Sequence, residues 1–174
     1  MSPRISVFAA LAASFLLSGC FRSETPKFPA ENAVAAFGDG GRFQGYERTE
    51  SDRYKKTDEA IIMVKRRGDG GYDFVDEKDK DKVQPISFHP IAGGNFVGQV
   101  LENGKSRYAY LVFRIAGNEA FIYVPDCDKQ DKAQLEKLGV AIGQFACTID
   151  RVADPAAFFA SLTLGEPSSK LVRE

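Results

Sequence analysis

Several side chains on which enzymes commonly depend are scarce in this chain. Its 174 residues include a single histidine, His89, and no tryptophan. Any Ser-His or Cys-His nucleophilic site would therefore have to use His89, yet no serine lies in a G-x-S-x-G nucleophile elbow. The sequence predicts that His89 is a hydrogen-bonded imidazole near the end of a strand, and it predicts no catalytic residue.

The chain also lacks an excess of charge of either sign. It has 23 Lys and Arg against 24 Asp and Glu, and the two signs are interspersed along the sequence. Domains that bind nucleic acid usually carry a basic excess that neutralises phosphates. We therefore expect no nucleic-acid partner.

Motifs for cofactors and metals are missing as well. Residues 98–106 end like a phosphate-binding loop, but five residues separate Gly98 from Gly104, one more than that loop allows. The acidic run 76–82 has no glycine where a calcium loop turns sharply and no glutamate at the last ligand position. We expect no nucleotide, cofactor or metal, and we expect residues 76–82 to form the solvated end of a hairpin.

The first of only three cysteines, Cys20, stands in an informative context. It follows Leu17-Ser18-Gly19 and a largely apolar run over residues 5–17, which Arg4 precedes. That run suits a signal peptide but is shorter than the roughly 20 residues of a membrane-spanning helix. The segment resembles the signal peptide and lipobox of bacterial lipoproteins.

The resemblance implies that the chain is cleaved before Cys20 and that Cys20 is acylated, with palmitate among the expected lipids. Two or three acyl chains make such an anchor effectively permanent, because a single chain binds only reversibly. The residue after Cys20 is Phe21, whereas the inner-membrane retention signal of enteric bacteria has Asp there. We therefore expect an anchor on the periplasmic face of the outer membrane, with the inner membrane as the alternative.

With Cys20 lipidated, Cys127 and Cys147 remain as a pair in an oxidising compartment, where a disulfide is expected. Two buried reduced thiols are the alternative. A metal site is disfavoured, because His89 is distant in sequence and no C-x-x-C spacing occurs.

Turn-forming residues divide the middle of the chain into strand-like runs. In residues 108–115 apolar side chains occupy alternate positions, the period of a half-buried strand. Asn103-Gly104, just before that run, suits the two-residue turn of a hairpin. Weaker runs of the same kind cover residues 43–49, 60–66, 72–76, 83–88, 96–101 and 120–124.

These runs predict a mainly β fold, an antiparallel meander of about seven to eight strands that forms a small barrel or a sandwich. Asp154-Pro155 predicts a helix over residues 156–162, and a second short helix is expected over 129–138. The chain then divides into a signal peptide (1–19), a lipidated tether (20–32), a single β-rich domain (33–166) and a flexible tail (167–174).

Taken together, these features indicate a lipid-anchored periplasmic protein that is not an enzyme. We expect an interaction or structural role in the envelope, with the membrane and an envelope protein of unknown identity as partners. The alternatives are a lipocalin-like carrier of a small apolar ligand and, less favoured, a hydrolase or hydrolase inhibitor.

Overall fold

The computed structural model describes residues 20–51, 53–102, 106–144 and 146–174. The predicted signal peptide and the predicted turn at Asn103-Gly104 lie outside the described residues. The strands are β1 (Cys20–Ser23), β2 (Gly40–Arg48), β3 (Tyr54–Arg66), β4 (Tyr72–Asp76), β5 (Val83–Ile91), β6 (Asn95–Leu101), β7 (Tyr108–Ala116), β8 (Glu119–Tyr123), β9 (Ala141–Ile142), β10 (Ala146–Thr148) and β11 (Ser169–Arg173). The α-helices are α1 (Lys132–Lys137) and α2 (Pro155–Ser161), and short 3-10 helices cover Ala30–Asn32, Ala92–Gly94 and Cys127–Lys129. No helix in this described part of the chain has the length and apolar composition that a bilayer crossing demands.

Eight of the strands close into an antiparallel barrel. Strands β2 to β8 form a meander in which each strand pairs with the next. Strand β11 then pairs with both β8 and β2 and completes the ring. The prediction of a mainly β antiparallel meander is confirmed, and the ring closure makes it a barrel, not a sandwich.

The barrel interior is filled by side chains. In β7, Leu111, Phe113 and Ile115 belong to the interior cluster, as the alternating pattern predicts. Phe37, from the segment before β2, occupies the centre, and its ring centroid lies 5.2 to 6.5 Å from five other rings. Those rings belong to Phe43, Tyr72, Phe74, Phe88 and Phe113. An eight-stranded barrel is just wide enough for side chains to fill it, and here aromatic rings do so.

A second buried cluster covers the outer face of β5, β6 and β7. Helix α2 contributes Phe158 and Phe159, and the ring of Phe21 in β1 packs edge-on against both, with centroids 5.2 and 6.2 Å away. Strand β1 pairs antiparallel with β7 and parallel with β10, which in turn pairs with β9. The barrel therefore has one covered side.

The predicted tether over residues 20–32 is wrong, because this segment packs on the barrel. Phe21 is completely buried and Phe28 is 6% exposed. The predicted flexible tail over 167–174 is wrong too, since β11 closes the barrel and buries Leu171 in its interior. The domain thus includes residues 20–32 and 167–174 in addition to the predicted 33–166. Each terminal segment contributes few buried side chains, so neither shows the long alternation that marks a strand in a sequence.

The predicted hairpin between β6 and β7 is confirmed, but its register differs from the expected one. A two-residue turn at Asn103-Gly104 would pair residue 102 with residue 105. Instead Leu101 pairs with Tyr108, and the Glu102 N–H donates to the Arg107 carbonyl at 3.0 Å. In the described residues the ladder therefore ends at Glu102 and Arg107.

Both predicted helices are present, with one shortened. Asp154 Oδ1 accepts a hydrogen bond of 2.9 Å from the Ala157 N–H and caps α2, as Asp154-Pro155 predicts. The helix expected over 129–138 begins only at Lys132, because Asp131 supplies the cap through the Gln134 N–H. The residues just before it form the 3-10 turn Cys127–Lys129.

Cys127 and Cys147 form the predicted disulfide, with 6.2 Å between their Cα atoms. Both residues are buried in the outer cluster, next to β1. The bridge closes a loop between residues 20 apart in sequence, and this loop contains α1 and β9. It therefore fixes these peripheral elements to the barrel.

Replacing both Cys127 and Cys147 by alanine should lower the free energy of unfolding by about 2 to 4 kcal/mol, because the unfolded chain regains its loop entropy. Urea unfolding of the oxidised wild type and the double variant measures the difference. The wild type unfolded with a reductant is the control and should match the variant. Free thiols titrated at both positions in unreduced wild type would contradict the bridge.

Candidate functional site

A cleft of about 260 Å³ lies on the outer face of the barrel, where the N-terminal segment crosses β5 and β6. Its volume is below the roughly 300 to 1,000 Å³ of most small-molecule sites. The lining residues include the apolar or aromatic Pro26, Phe28, Pro29, Leu101 and Tyr108 and the polar Arg67, Asp69, Ser87 and Gln99.

Ser87 and His89 form a hydrogen-bonded pair beside this cleft. Both lie on the outward face of β5, and 3.0 Å separates the Ser87 Oγ from the His89 Nε2. The imidazole is 2% exposed and stacks on Phe28, with 4.8 Å between ring centroids. The expectation of a hydrogen-bonded imidazole near a strand end is confirmed.

The Ser87–His89 pair lacks the remaining parts of a nucleophilic site. A Ser-His-Asp arrangement needs an acidic group that orients the imidazole through its second nitrogen. Here Nδ1 of His89 is buried, and no carboxylate of the described residues makes a hydrogen bond to it. Burial lowers the pKa of His89 to about 4, although the Asn32 backbone opposes this shift. The imidazole is therefore neutral and a weak base.

Gln99 fixes the N-terminal segment that forms one wall of the cleft. Its Oε1 accepts hydrogen bonds from the N–H groups of Lys27 and Phe28 at 2.9 and 3.0 Å, and its Nε2 donates to the Phe28 carbonyl at 3.1 Å. Below it, the hydroxyls of Ser23 and Tyr110 are 2.5 Å apart, and burial raises the pKa of Tyr110 to about 12. These polar groups hold the wall in place.

The charged end of the cleft is internally balanced. The Arg67 Nε donates to Asp69 Oδ1 at 3.0 Å, and Arg67 Nη1 lies 3.5 Å from Asp73 Oδ1. The pKa of Asp69 is lowered by the hydrogen bond from Arg67 and by the Gly71 N–H, which donates to Asp69 at 3.0 Å. The two charged side chains that line the cleft, Arg67 and Asp69, therefore neutralise each other.

A second depression, of about 210 Å³, lies at one mouth of the barrel, and Phe37, Phe43 and Arg173 are among its lining residues. Arg173 donates from Nη1 to the Gly40 carbonyl at 2.8 Å and from Nη2 to the Phe37 carbonyl at 3.1 Å. Its guanidinium also lies 4.9 Å from the Phe43 ring centroid. The last strand thus holds the central Phe37 segment in the mouth.

A row of alternating aromatic and cationic side chains crosses the outer face of the barrel from β2 to β7, next to the covered side. Cross-strand pairing places Tyr46 of β2 beside Lys170 of β11, Lys170 beside Phe121 of β8, and Phe121 beside Arg114 of β7. Tyr54 and Tyr123 flank this row. We call these six residues the cation–aromatic strip.

The cations of the strip lie over its rings. Lys170 Nζ is 5.2 to 5.8 Å from the centroids of Tyr54, Tyr46 and Phe121. The Arg114 guanidinium lies 5.0 Å from Phe121 and 5.9 Å from Tyr123. Sequence reasoning missed the strip because Lys170 falls in the predicted tail, and only the pairing of β11 brings it between Tyr46 and Phe121.

The other segments singled out by the sequence do not meet at one place. In the strand run over residues 108–115, Phe113 lies inside the barrel and Tyr110 under the outer layer. In the acidic run, residues 77–82 form a solvated hairpin end in which Lys82 pairs with Asp79 at 2.9 Å. The prediction is wrong for Asp76, which is the last residue of β4, is 4% exposed and accepts a hydrogen bond of 2.9 Å from the Lys78 N–H. Among the described residues no three metal-ligating side chains come together.

The chain matches no protein-family model, no curated protein and no solved structure. Its own geometry is therefore the basis for a functional assignment.

Proposed function

We propose that this protein is a lipid-anchored component of the periplasmic envelope that acts as a non-enzymatic interaction protein through its outer surface. The observation that carries the proposal is the filled interior, where Phe37 is surrounded by five aromatic rings. With the interior occupied, the outer surface is what the barrel offers to other molecules.

The lipobox before Cys20 supports the membrane anchor. Cys20 is also the first residue of β1, whose backbone pairs with β10 at Ala146. An acylated Cys20 would therefore join the lipid directly to the folded domain, with no intervening linker. The outer membrane remains our favoured location, because Phe21 does not match the inner-membrane retention signal.

The two alternative functions have weaker support. A closed eight-stranded barrel is compatible with a lipocalin-like carrier, but the mouth depression of about 210 Å³ is small and is bounded by the bonded Arg173. A hydrolase with a Ser-His nucleophile would have to use Ser87 and His89, whose second ring nitrogen has no orienting acid among the described residues.

Titration of the purified protein with a fluorescent fatty acid separates the proposal from the carrier function. We expect no saturable binding, because the interior has no room for an acyl chain. The carrier function would be favoured by stoichiometric binding of the fatty acid that displaces no detergent from the anchor. A bulkier residue at Ala36, in the mouth of the barrel, should then abolish that binding.

The Cys20→Ala substitution should abolish labelling by a palmitate analogue and move the protein from the detergent phase to the aqueous phase. The reason is that the proposed anchor is attached only at this residue. Metabolic labelling followed by detergent phase partitioning measures both effects. The Cys127→Ala/Cys147→Ala variant is the matched control and should keep the label. Equal labelling of the Cys20→Ala variant would refute the anchor.

A further inference from the structure

We propose that the cation–aromatic strip is the face on which the barrel rests against the anionic phospholipid headgroups of its own membrane. This inference builds on the proposed lipid anchor and names the surface that the anchor presents to the bilayer. It depends on three features of the strip: its charge, its lack of cover and its position relative to Cys20.

The strip carries cationic groups that remain available to an anionic surface. Arg114 is exposed and, among the described residues, has no carboxylate within ion-pair distance. Lys170 pairs with Glu119 at 2.6 Å, so one of the two cations is partly compensated. Aromatic rings on a protein surface can also bind sugars by stacking, but here the two cations already cover the ring faces. The outward N–H groups of Arg114 instead suit phosphate oxygens.

Protein surfaces at a membrane–water interface are rich in tyrosine and in lysine or arginine. Tyrosine places an apolar ring and a polar hydroxyl at headgroup depth, and basic side chains extend from an apolar stem to the phosphates. The accessible part of the strip has this composition, with Tyr46 and Tyr54 beside Lys170, whereas Tyr123 at the other end is only 6% exposed. A basic residue near an anionic leaflet contributes attraction that falls off within a Debye length.

The strip extends from the edge of the outer layer onto the part of the barrel that this layer leaves open. The outer buried cluster and α2 cover β5, β6 and β7, and the cluster also includes Tyr123 of β8, with Phe121 packed against it. The row runs instead across β2, β11 and β8, and ends at Arg114 of β7. Tyr46, Tyr54, Phe121 and Lys170 each keep part of their surface accessible.

The anchor point lies at one end of the strip. Strands β8 and β1 both pair with the same edge of β7: Tyr123 pairs with Val112, and Arg22 pairs with Ala109. Continuing the β1 register to Cys20 places its backbone beside Leu111, adjacent to Tyr123. From Leu111 to Arg114 the strand rises about 10 Å. Acyl chains on Cys20 would therefore hold the strip close to the headgroups.

The test uses the lipidated full-length protein in vesicles of phosphatidylcholine, with or without phosphatidylglycerol, that also contain a brominated phosphatidylcholine. Because the chain has no tryptophan, one introduced tryptophan reports one site. Tyr54→Trp places it in the strip. Val83→Trp places it on β5, at a side chain that is 36% exposed and on the strand opposite β11 in the ring.

We expect bromine to quench the tryptophan of Tyr54→Trp in vesicles with phosphatidylglycerol, and to leave that of Val83→Trp unquenched. Adding Arg114→Gln and Lys170→Gln to Tyr54→Trp should lower the ratio of docked to undocked protein by a factor of about 30, because the variant loses the attraction of two basic residues to the anionic surface. The matched control is Lys80→Gln/Lys82→Gln at the β4–β5 hairpin end, which also includes one ion-paired lysine. It should leave quenching unchanged, and thermal unfolding verifies that each variant is folded.

The outcomes separate this inference from the anchor on which it rests. A protein that fails to float with the vesicles would overturn the proposed anchor. A protein that floats while both tryptophans are unquenched, or while both are quenched equally, would overturn docking by the strip and leave the anchor intact. The strip would face a protein instead if Tyr54→Trp stays unquenched and Arg114→Gln/Lys170→Gln removes a cross-link to an envelope protein.

Discussion

Phe37→Ala should lower the free energy of unfolding by about 3 to 5 kcal/mol, the range for truncating a buried phenylalanine whose cavity cannot collapse. Phe37 is 4% exposed and lies at the centre of the barrel. Its backbone is also fixed, because its N–H donates to the Tyr72 hydroxyl at 3.2 Å and that hydroxyl donates to the Gly38 carbonyl at 2.7 Å. Closed strand pairing limits how far the surrounding strands can move inward. Urea unfolding monitored by circular dichroism measures the change.

Phe121→Ala is the matched control for Phe37→Ala. It deletes the same ring from the outer surface, where the side chain is only partly buried, so its cost should be clearly smaller. The cavity left by Phe37→Ala should also bind benzene and recover part of the lost stability, as apolar engineered cavities do. If the free energy of unfolding of Phe37→Ala lies within about 1 kcal/mol of the wild-type value, the Phe37 ring does not stabilise the interior as proposed. The carrier function would then regain support.

Much of the barrel wall could be predicted from the sequence, because its signals are local. The alternation in residues 108–115 specifies which face of β7 points into the barrel, and Leu111 and Phe113 are indeed inside. It does not show that Tyr110 and Val112 on the other face are also buried, under the outer layer. Asp154 before Pro155 predicts α2 through capping chemistry that involves only neighbouring residues. These signals can be interpreted without knowing which strands pair with each other.

Ring closure could not be predicted, because it depends on contacts between distant parts of the chain. β11 has one buried side chain, Leu171, in the short sequence Ser-Lys-Leu-Val-Arg, and by itself that pattern is typical of a frayed end. It becomes a strand because β2 and β8 both leave an unpaired edge that it fills. Likewise Phe21 is buried only because α2 supplies Phe158 and Phe159. The cation–aromatic strip could not be predicted for the same reason, because it forms only when β11 pairs with β2 and β8 in the observed register.

His89 shows how a residue type can be predicted while its energetic role cannot. A lone histidine in an apolar strand run suggests a hydrogen-bonded imidazole, and Ser87 supplies that bond. The depth of burial depends on Phe28, which the sequence placed in a tether but which stacks on the ring. The pH dependence of folding follows from that packing.

The stability of the protein should fall by up to about 3 kcal/mol as the pH is lowered from 6.5 to 4, through His89 alone. Burial lowers the pKa of His89 to about 4 in the folded state, whereas the unfolded chain has the ordinary value near 6.5. Between these values the unfolded state binds a proton that the folded state does not. The contribution is therefore complete above pH 6.5 and is lost as the pH falls towards 4.

Urea unfolding at a series of pH values measures this dependence, and the single histidine makes it simple to assign. His89→Phe keeps a ring stacked on Phe28 and removes the titrating group, so its free energy of unfolding should be nearly flat from pH 6.5 down to about 4.5. Below that range both proteins should lose stability together, because Glu77 and Asp69 have lowered pKa values in the folded state and become protonated. An equal slope in both proteins above pH 4.5 would place the titrating group elsewhere and would mean that the imidazole is not buried as described.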